Sequence, residues 1–262
     1  MPDSPTRIHP NATVHPTAVI DPSATIGEGA VVHVGAVIGA NVVVGAQSQI
    51  GSYVVIHADT HLGEGVRVDD HAVLGKQPMR AARSATTSAE ALPGCVVGDT
   101  CTIGTHAVIY RGAVLGASVL VADLATVREH VSIGAQTIIG RGVAVENKTS
   151  IGARCKIETN AYITAYSTLE DDVFVAPGVL TSNDAYMGRS AKRYGSYRGV
   201  IAQKGARMGV GAVILPGRTL AEDAVVGAGA LQTKDATAAH IHVGVPARVT
   251  RRVDDDQLLK HQ

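Results

Sequence analysis

Tryptophan is absent from these 262 residues, phenylalanine occurs once and tyrosine seven times. A domain of this length ordinarily leans on bulky aromatics, each of which buries a large area, so the core here must be narrow. Cys95, Cys101 and Cys155 form no CxxC pair and leave an odd thiol, which argues against a disulfide framework and points to a reducing compartment. Neither sign of charge is in excess, with 23 Lys plus Arg against 23 Asp plus Glu. That balance removes the electrostatic case for a nucleic-acid or anionic-membrane partner. No apolar run approaches the roughly 18 residues of a membrane span, and the stretch MPDSPTRIHP lacks the apolar core of a secretion signal. We therefore expect a cytoplasmic protein. A hydrophobic share of 45% excludes wholesale disorder.

What is present is a rhythm. From Ile8 every sixth residue is aliphatic through Leu74, twelve in succession; the pattern resumes at Val97 and runs through Val175, fourteen more. The residue two before each aliphatic is small or β-branched, as in Ala18, Ala24, Ala30, Ala36 and Val42, and the residue after it is often glycine, as in Gly27, Gly39, Gly45, Gly51 and Gly63. A period of six fits neither a helix nor a simple alternating strand. It fits a short strand and a tight turn repeated on each side of a three-sided prism, with both the aliphatic and the small residue pointing inward and glycine where the backbone bends with positive φ. Stacked eighteen-residue coils spaced about 4.8 Å apart make a rod on the order of 50 Å long. The three cysteines fall at the small inward position and read as core filler.

The rhythm breaks twice, giving excursion loops at about 76–94 and 181–200. The first holds Lys76, Arg80 and Arg83 in a Ser/Thr/Ala-rich stretch; around the second, five of the seven tyrosines lie between 162 and 197. Loops on a rigid scaffold commonly carry function. We divide the chain into a β-helix domain, 1–235, and a C-terminal cap with a short helical tail, 236–262, that covers the last coil's unpaired edges.

The hexads resemble those of the hexapeptide-repeat acyltransferases, which implies an all-β, left-handed parallel β-helix. HAVLGKQP, VVGDTCTIGTHAVIYRG and ADLATVREHVSIG have the layout of the acyl-carrier-dependent UDP-sugar acyltransferases of lipid A synthesis. ETNAYITAYSTLED, TSNDAYMGR, KGARMGVGAVILPG and VGVPARV are similar to bacterial nucleotide-sugar N-acetyltransferases. The resemblance implies an acyl-CoA co-substrate, a dTDP- or UDP-linked amino-sugar acceptor, and a homotrimer with its sites in clefts between prisms. Where the lipid A enzymes keep a catalytic histidine, TVREH places Glu129, with His130 one beyond; where maltose- and galactoside-type enzymes keep theirs, Asn183 and Asp184 stand. A hydroxyl acceptor needs a general base for its proton, whereas an amine attacks with its own lone pair. Loss of the histidines therefore favours N-acylation, with acetyl the first acyl group to test.

On this reading Glu129 and Asp184 orient the amine, with one of them accepting its proton, while Asn160 and Asn183 bond sugar hydroxyls or the thioester carbonyl. Arg128, Glu146 and Thr164, eighteen apart, form a column; Glu146 is either a catalytic carboxylate or the structural partner of Arg128. Arg128, His130 and Glu158 are assigned to substrate, Lys76, Arg80 and Arg83 to its diphosphate, and Lys204, Arg207 and Arg248 to the CoA phosphates. No two of the eleven histidines differ by five, unlike the His pair of hexapeptide carbonic anhydrases, so no metal is expected. The alternatives are an amino-acid or lysine-pathway dicarboxylate acceptor, O-acylation of a UDP-sugar, and a non-catalytic solenoid.

Overall fold

The computed structural model describes residues 7–82, 84–87 and 90–261; the expected contact Arg83 lies outside them. Three sheets of 11, 13 and 11 strands, parallel except for the last strand of the second, wrap the chain into an all-β helix, consistent with the left-handed form that the resemblance implies. We number the faces by their opening strands: Arg7–Ile8 begins the first, Thr13–Val14 the second and Val19–Ile20 the third. Nearly every strand is two residues long, and each pairs with the strand one coil away, as Val127 does with Val145. The sixth-place aliphatics point inward: Ile26, Ile50, Leu74, Ile103, Ile139 and Ile163 are at most 1% exposed. Truncating one such isoleucine to alanine costs about 2–5 kcal/mol.

The glycines after the aliphatics are needed for a different reason from the one expected. Gly27, Gly45 and Gly51 do not have positive φ; that conformation falls at the corner two residues later, as at Gly29, Gly35 and Asn41. A Cβ on Gly27 would sit 2.6 Å from the Ala46 nitrogen of the next coil, and one on Gly45 would meet the Gly63 carbonyl. The coils approach too closely there for any side chain.

The expected cap is a hairpin, and the short helical tail after it is of 3-10 type. His240–Gly244 pairs in parallel with Val225–Val226 and antiparallel with Ala247–Arg252, and two 3-10 turns, Asp255–Gln257 and Leu259–His261, follow. The buried Asp223 carboxylate accepts the Leu259 N–H at 3.2 Å and fastens this tail. Among the described residues, no helix is long and apolar enough to cross a membrane.

Outward positions on the third face form an almost unbroken apolar column: Val19, Val37, Val55 and Val73 in its first half, then Val108, Tyr162, Leu180, Val213 and Leu231. Val19 is 62% and Leu180 50% exposed.

Candidate active site

Both excursions leave the prism at the same edge, between the third and first faces. The chain exits after Val73–Lys76 and returns at Val96–Val97, then exits after Leu180–Thr181 and returns at Ile201–Ala202. Pairing jumps the gaps: Leu74 meets Ile109, with the register shifting only at Lys76 opposite Tyr110, and Val175 meets Met208. Five coil steps separate the two exits, about 24 Å along the axis at ~4.8 Å per step. The strip of edge between them is where polar side chains collect.

Arg128 lies in that strip, stacked against Tyr110 (5.0 Å to the ring centroid), with Lys76 also over the same ring at 5.3 Å. Its guanidinium forks onto Glu129, at 2.8 and 3.1 Å, and donates to Thr87 Oγ1 of the first loop at 3.1 Å. Glu129 is 2% exposed and also accepts from Asn147 Nδ2 at 3.0 Å. Burial pushes its carboxyl upward, but the bond and charge of Arg128, with the Asn147 amide, outweigh burial and hold it below the ordinary carboxylate range. Glu129 is thus a buried, ion-paired anchor. It is not placed as the proton acceptor expected from the sequence, because its oxygens are already committed.

Glu146, one coil on, is different. It touches Arg128 only at 3.4 Å, and its side chain is 24% exposed. Burial raises its pKa, the Arg128 charge opposes, and the Glu129 charge adds to the rise. The Tyr162 phenol beside it is also pushed up, by burial and by the Glu146 charge, so it stays protonated. The column predicted from the eighteen-residue spacing is present, extended by Tyr110, which the sequence reading missed although the YRG of the first resemblance contains it.

The same YRG holds Arg111, also missed. It is 9% exposed and bonds Leu92 O of the first loop at 3.1 Å, Ala58 O at 2.7 Å and the Asp59 carboxylate at 2.9 Å. The first loop is stapled further by Asn147 Nδ2 to Thr86 O and by His130 Nε2 to Glu90 Oε1 at 2.6 Å. From this His–Glu contact a groove of about 470 Å³ runs along the first face over Ser132, Ser150 and Thr168 toward Lys148. A second groove of about 350 Å³ shares Ser150 and Thr168 and ends at Lys204.

Other expected residues are not brought into this strip. Glu158 and Asn160 turn the neighbouring edge, between the second and third faces, because they follow the second-face strand Lys156–Ile157. Asn183 spans the base of the second loop, its side-chain amide donating to Ala165 O at 3.4 Å and its backbone carbonyl accepting from the Arg198 N–H. Asp184 caps that loop's first turn, accepting from Tyr186 and Gly188 N–H and pairing with Arg193 at 3.0 Å. Desolvation acts upward on it, but those bonds and the Arg193 charge keep its carboxyl low. Arg80 is exposed. Arg207 lies on the second face under the tail, its Nη1 3.4 Å from Gln257, and Arg248 is on the terminal hairpin bonded to Ala247 O. Of the three expected CoA contacts only Lys204 shares a face with the strip. Among the described residues, no group of three or more His, Cys, Asp or Glu is arranged to hold a metal.

A family model described as the GMPPB C-terminal domain matches residues 35–138. Galactoside O-acetyltransferase of Escherichia coli is 32% identical over 91 residues, 34% of this chain and 45% of that protein. Over those 91 residues the chain is similar to an acetyltransferase. A Schizosaccharomyces pombe protein named as an acetyltransferase is 41% identical over 49 residues, 19% of this chain and 24% of that one. The alignments thus span less than half the length of either curated relative. Among solved structures, UDP-N-acetylglucosamine acyltransferase of Francisella novicida superposes with a TM-score of 0.48 at 19% identity, covering 97% of this chain and 72% of that one. A maltose O-acetyltransferase of Clostridium difficile gives 0.41 at 23% identity, covering 48% and 72%.

Proposed function

We propose that this protein transfers an acyl group from acyl-CoA to the amino group of a nucleotide-linked amino sugar, on the edge between its two loops. The observation that carries this reading is the pair of adjacent carboxylates whose surroundings push them apart. Glu129 is held ionised, and Glu146 is raised and open to a ligand. Such divergence separates a fixed anchor from a group that trades protons. The amine lone pair attacks the thioester carbonyl, Glu146 takes the N–H proton as the tetrahedral intermediate forms, and the C–S bond breaks to release a thiol that recovers one proton. The protonated Tyr162 hydroxyl is the side-chain donor we assign to the developing oxyanion. A carboxylate suffices for an ammonium-like proton; it is a poor base for a hydroxyl.

Acyl-CoA is the donor we assign, in keeping with the resemblance of the hexads, and Lys204 is the contact we assign to its phosphates. The apolar column of the third face borders the strip, so copies packed through it would set Glu146 and Tyr162 between neighbours; we propose the homotrimer on that ground. A second reading, O-acylation, is favoured by one observation: His130 in 2.6 Å contact with Glu90 is an oriented imidazole of the kind a hydroxyl acceptor needs.

The test is thiol release from acetyl-CoA with UDP- and dTDP-linked amino sugars and their hydroxyl counterparts. We expect amino acceptors to turn over, Glu146→Gln to lose activity and His130→Asn to retain it. Turnover of hydroxyl acceptors alone, lost in His130→Asn, would replace this reading with the second.

A further inference from the structure

The edge opposite the third face carries a groove that acyl transfer does not use. Both loops leave the prism between the third and first faces, whereas Arg154 and Asp172 turn the chain from the first face to the second. Beside that turn a groove of about 310 Å³ opens onto the second face, and Gln257 and Leu259 of the tail form one of its walls. Outward positions of three successive coils make its floor: Lys156 pairs with Phe174, and Phe174 with Arg207. The floor is therefore a cation, an aromatic ring and a second cation, one coil spacing of about 4.8 Å apart. Phe174 is the chain's one phenylalanine, and it is left 36% exposed. The acids lining the groove are spent elsewhere. Asp172 takes the Arg154 guanidinium at 2.7 and 2.8 Å, and Asp223 accepts the Leu259 N–H. Among the described residues no carboxylate lies within ion-pair distance of Lys156 or Arg207. Arg207 reaches the tail only through Nη1, 3.4 Å from Gln257 Oε1, and its Nε and Nη2 are buried without a partner. A guanidinium held that way costs free energy that an anion beside it recovers.

We infer that this groove is a binding site for a small aromatic oxyanion, an aryl phosphate or an aryl carboxylate. The ring lies against Phe174 and Leu259. The oxyanion sits between the exposed Lys156 ammonium and the Arg207 guanidinium, whose Nη1 exchanges its long contact with Gln257 for a charged acceptor. Nε and Nη2 do not touch the ligand; the charge they share is offset by the anion at the neighbouring nitrogen. The volume, about 310 Å³, is at the lower end for small-molecule sites and suits one ring with one acid group. Because the tail supplies a wall, an occupant bridges the tail and the prism. The site does not rest on the acyl-transfer reading, since Glu146 and Tyr162 stand toward the opposite side, on the third face and its edge with the first. Arg207, expected from the sequence to meet CoA phosphate, is reassigned to this ligand.

The single phenylalanine supplies the experiment. The full chain labelled with 4-fluorophenylalanine gives one fluorine resonance, on the floor of the groove. That resonance is followed as phenyl phosphate, benzoate, inorganic phosphate and phenol are added in turn. Phenyl phosphate or benzoate should shift it saturably and bind at least about tenfold more tightly than inorganic phosphate or phenol, since ring contact and a charged hydrogen bond each supply a factor of that order. The tighter of the two identifies the acid group. Lys156→Ala should weaken the aryl anion about tenfold at a wild-type melting temperature, because Lys156 is exposed and the buried Arg207 is left alone. Saturating acetyl-CoA should not displace the aryl anion. The site is overturned by the absence of a saturable shift with either aryl anion, or by aryl anions no tighter than inorganic phosphate or phenol. Unchanged affinity in Lys156→Ala, or displacement by acetyl-CoA, overturns it equally. Thiol release from acetyl-CoA is scored separately, so loss of one reading leaves the other standing.

Discussion

The two loops leave the same edge of the same scaffold, yet they are held in opposite ways. The first is fastened from outside itself: Arg111, Arg128, His130 and Asn147, all on the coils, reach up to Leu92, Thr87, Glu90 and Thr86. The second is fastened largely by its own residues, Asp184 to Arg193, Ser190 to Lys192 and Ser196 to Lys192 O, with Asn183 and the Tyr166 stack as its ties to the prism. A loop whose polar groups are consumed by the scaffold serves as a wall. A loop that leaves exposed cations, Lys192 and Arg198, with no acid in ion-pair range among the described residues is a surface for something else. The contrast assigns the first loop to positioning and the second to recognition.

The largest expected effect breaks the first loop's footing. Glu129→Ala strands the Arg128 charge beside a buried site and should cost about 3–5 kcal/mol of stability, read as a drop in denaturant midpoint. Because its folded pKa is depressed, the stability Glu129 contributes is present above its ordinary 4.5 and lost as pH falls through the lower folded value. Acid titration of the unfolding free energy should therefore be shallower in Glu129→Gln than in the wild type. Arg111→Ala leaves the Leu92 and Ala58 carbonyls without their donor, at about 1–3 kcal/mol, and should open the first loop to proteolysis while cleavage in the second loop stays at the wild-type rate. Equal sensitivity of both loops would erase the distinction. A smaller effect is expected on the third face, where Leu180→Asp should shift the species seen by light scattering to the monomer with a melting temperature within a few degrees of wild type, since an exposed outward position adds little to the coil itself.

The prism was readable from the chain because one physical requirement, an aliphatic at each inward sixth place, repeats without exception for long stretches. The positions of the loops followed from where that requirement lapses. The site was only half legible. Eighteen-residue spacing aligned Arg128 with Glu146, but spacing alone does not say which of two carboxylates has its oxygens taken, and that depends on Asn147 and on a loop some forty residues earlier. Glu158 and Asn160 fall on the neighbouring edge, which the hexads do not reveal because they are alike on all three edges; only the exits of the loops distinguish one edge from another. Tyr110 and Arg111 went unnoticed because each acts on residues far away in sequence, with Arg111 reaching Ala58 across 53 positions.

The account turns on Glu146 as the group that exchanges the proton, and the pH dependence of kcat for acetyl transfer tests it most directly. The wild type should show an acid limb whose midpoint lies above the ordinary carboxylate value of 4.5, because the folded pKa is raised, with activity lost as pH falls through it. Glu146→Gln should keep its fold, lose the limb and turn over about 100-fold more slowly, within the range for removal of a general base. A Glu146→Gln enzyme with wild-type kcat and an unchanged acid limb would contradict the account.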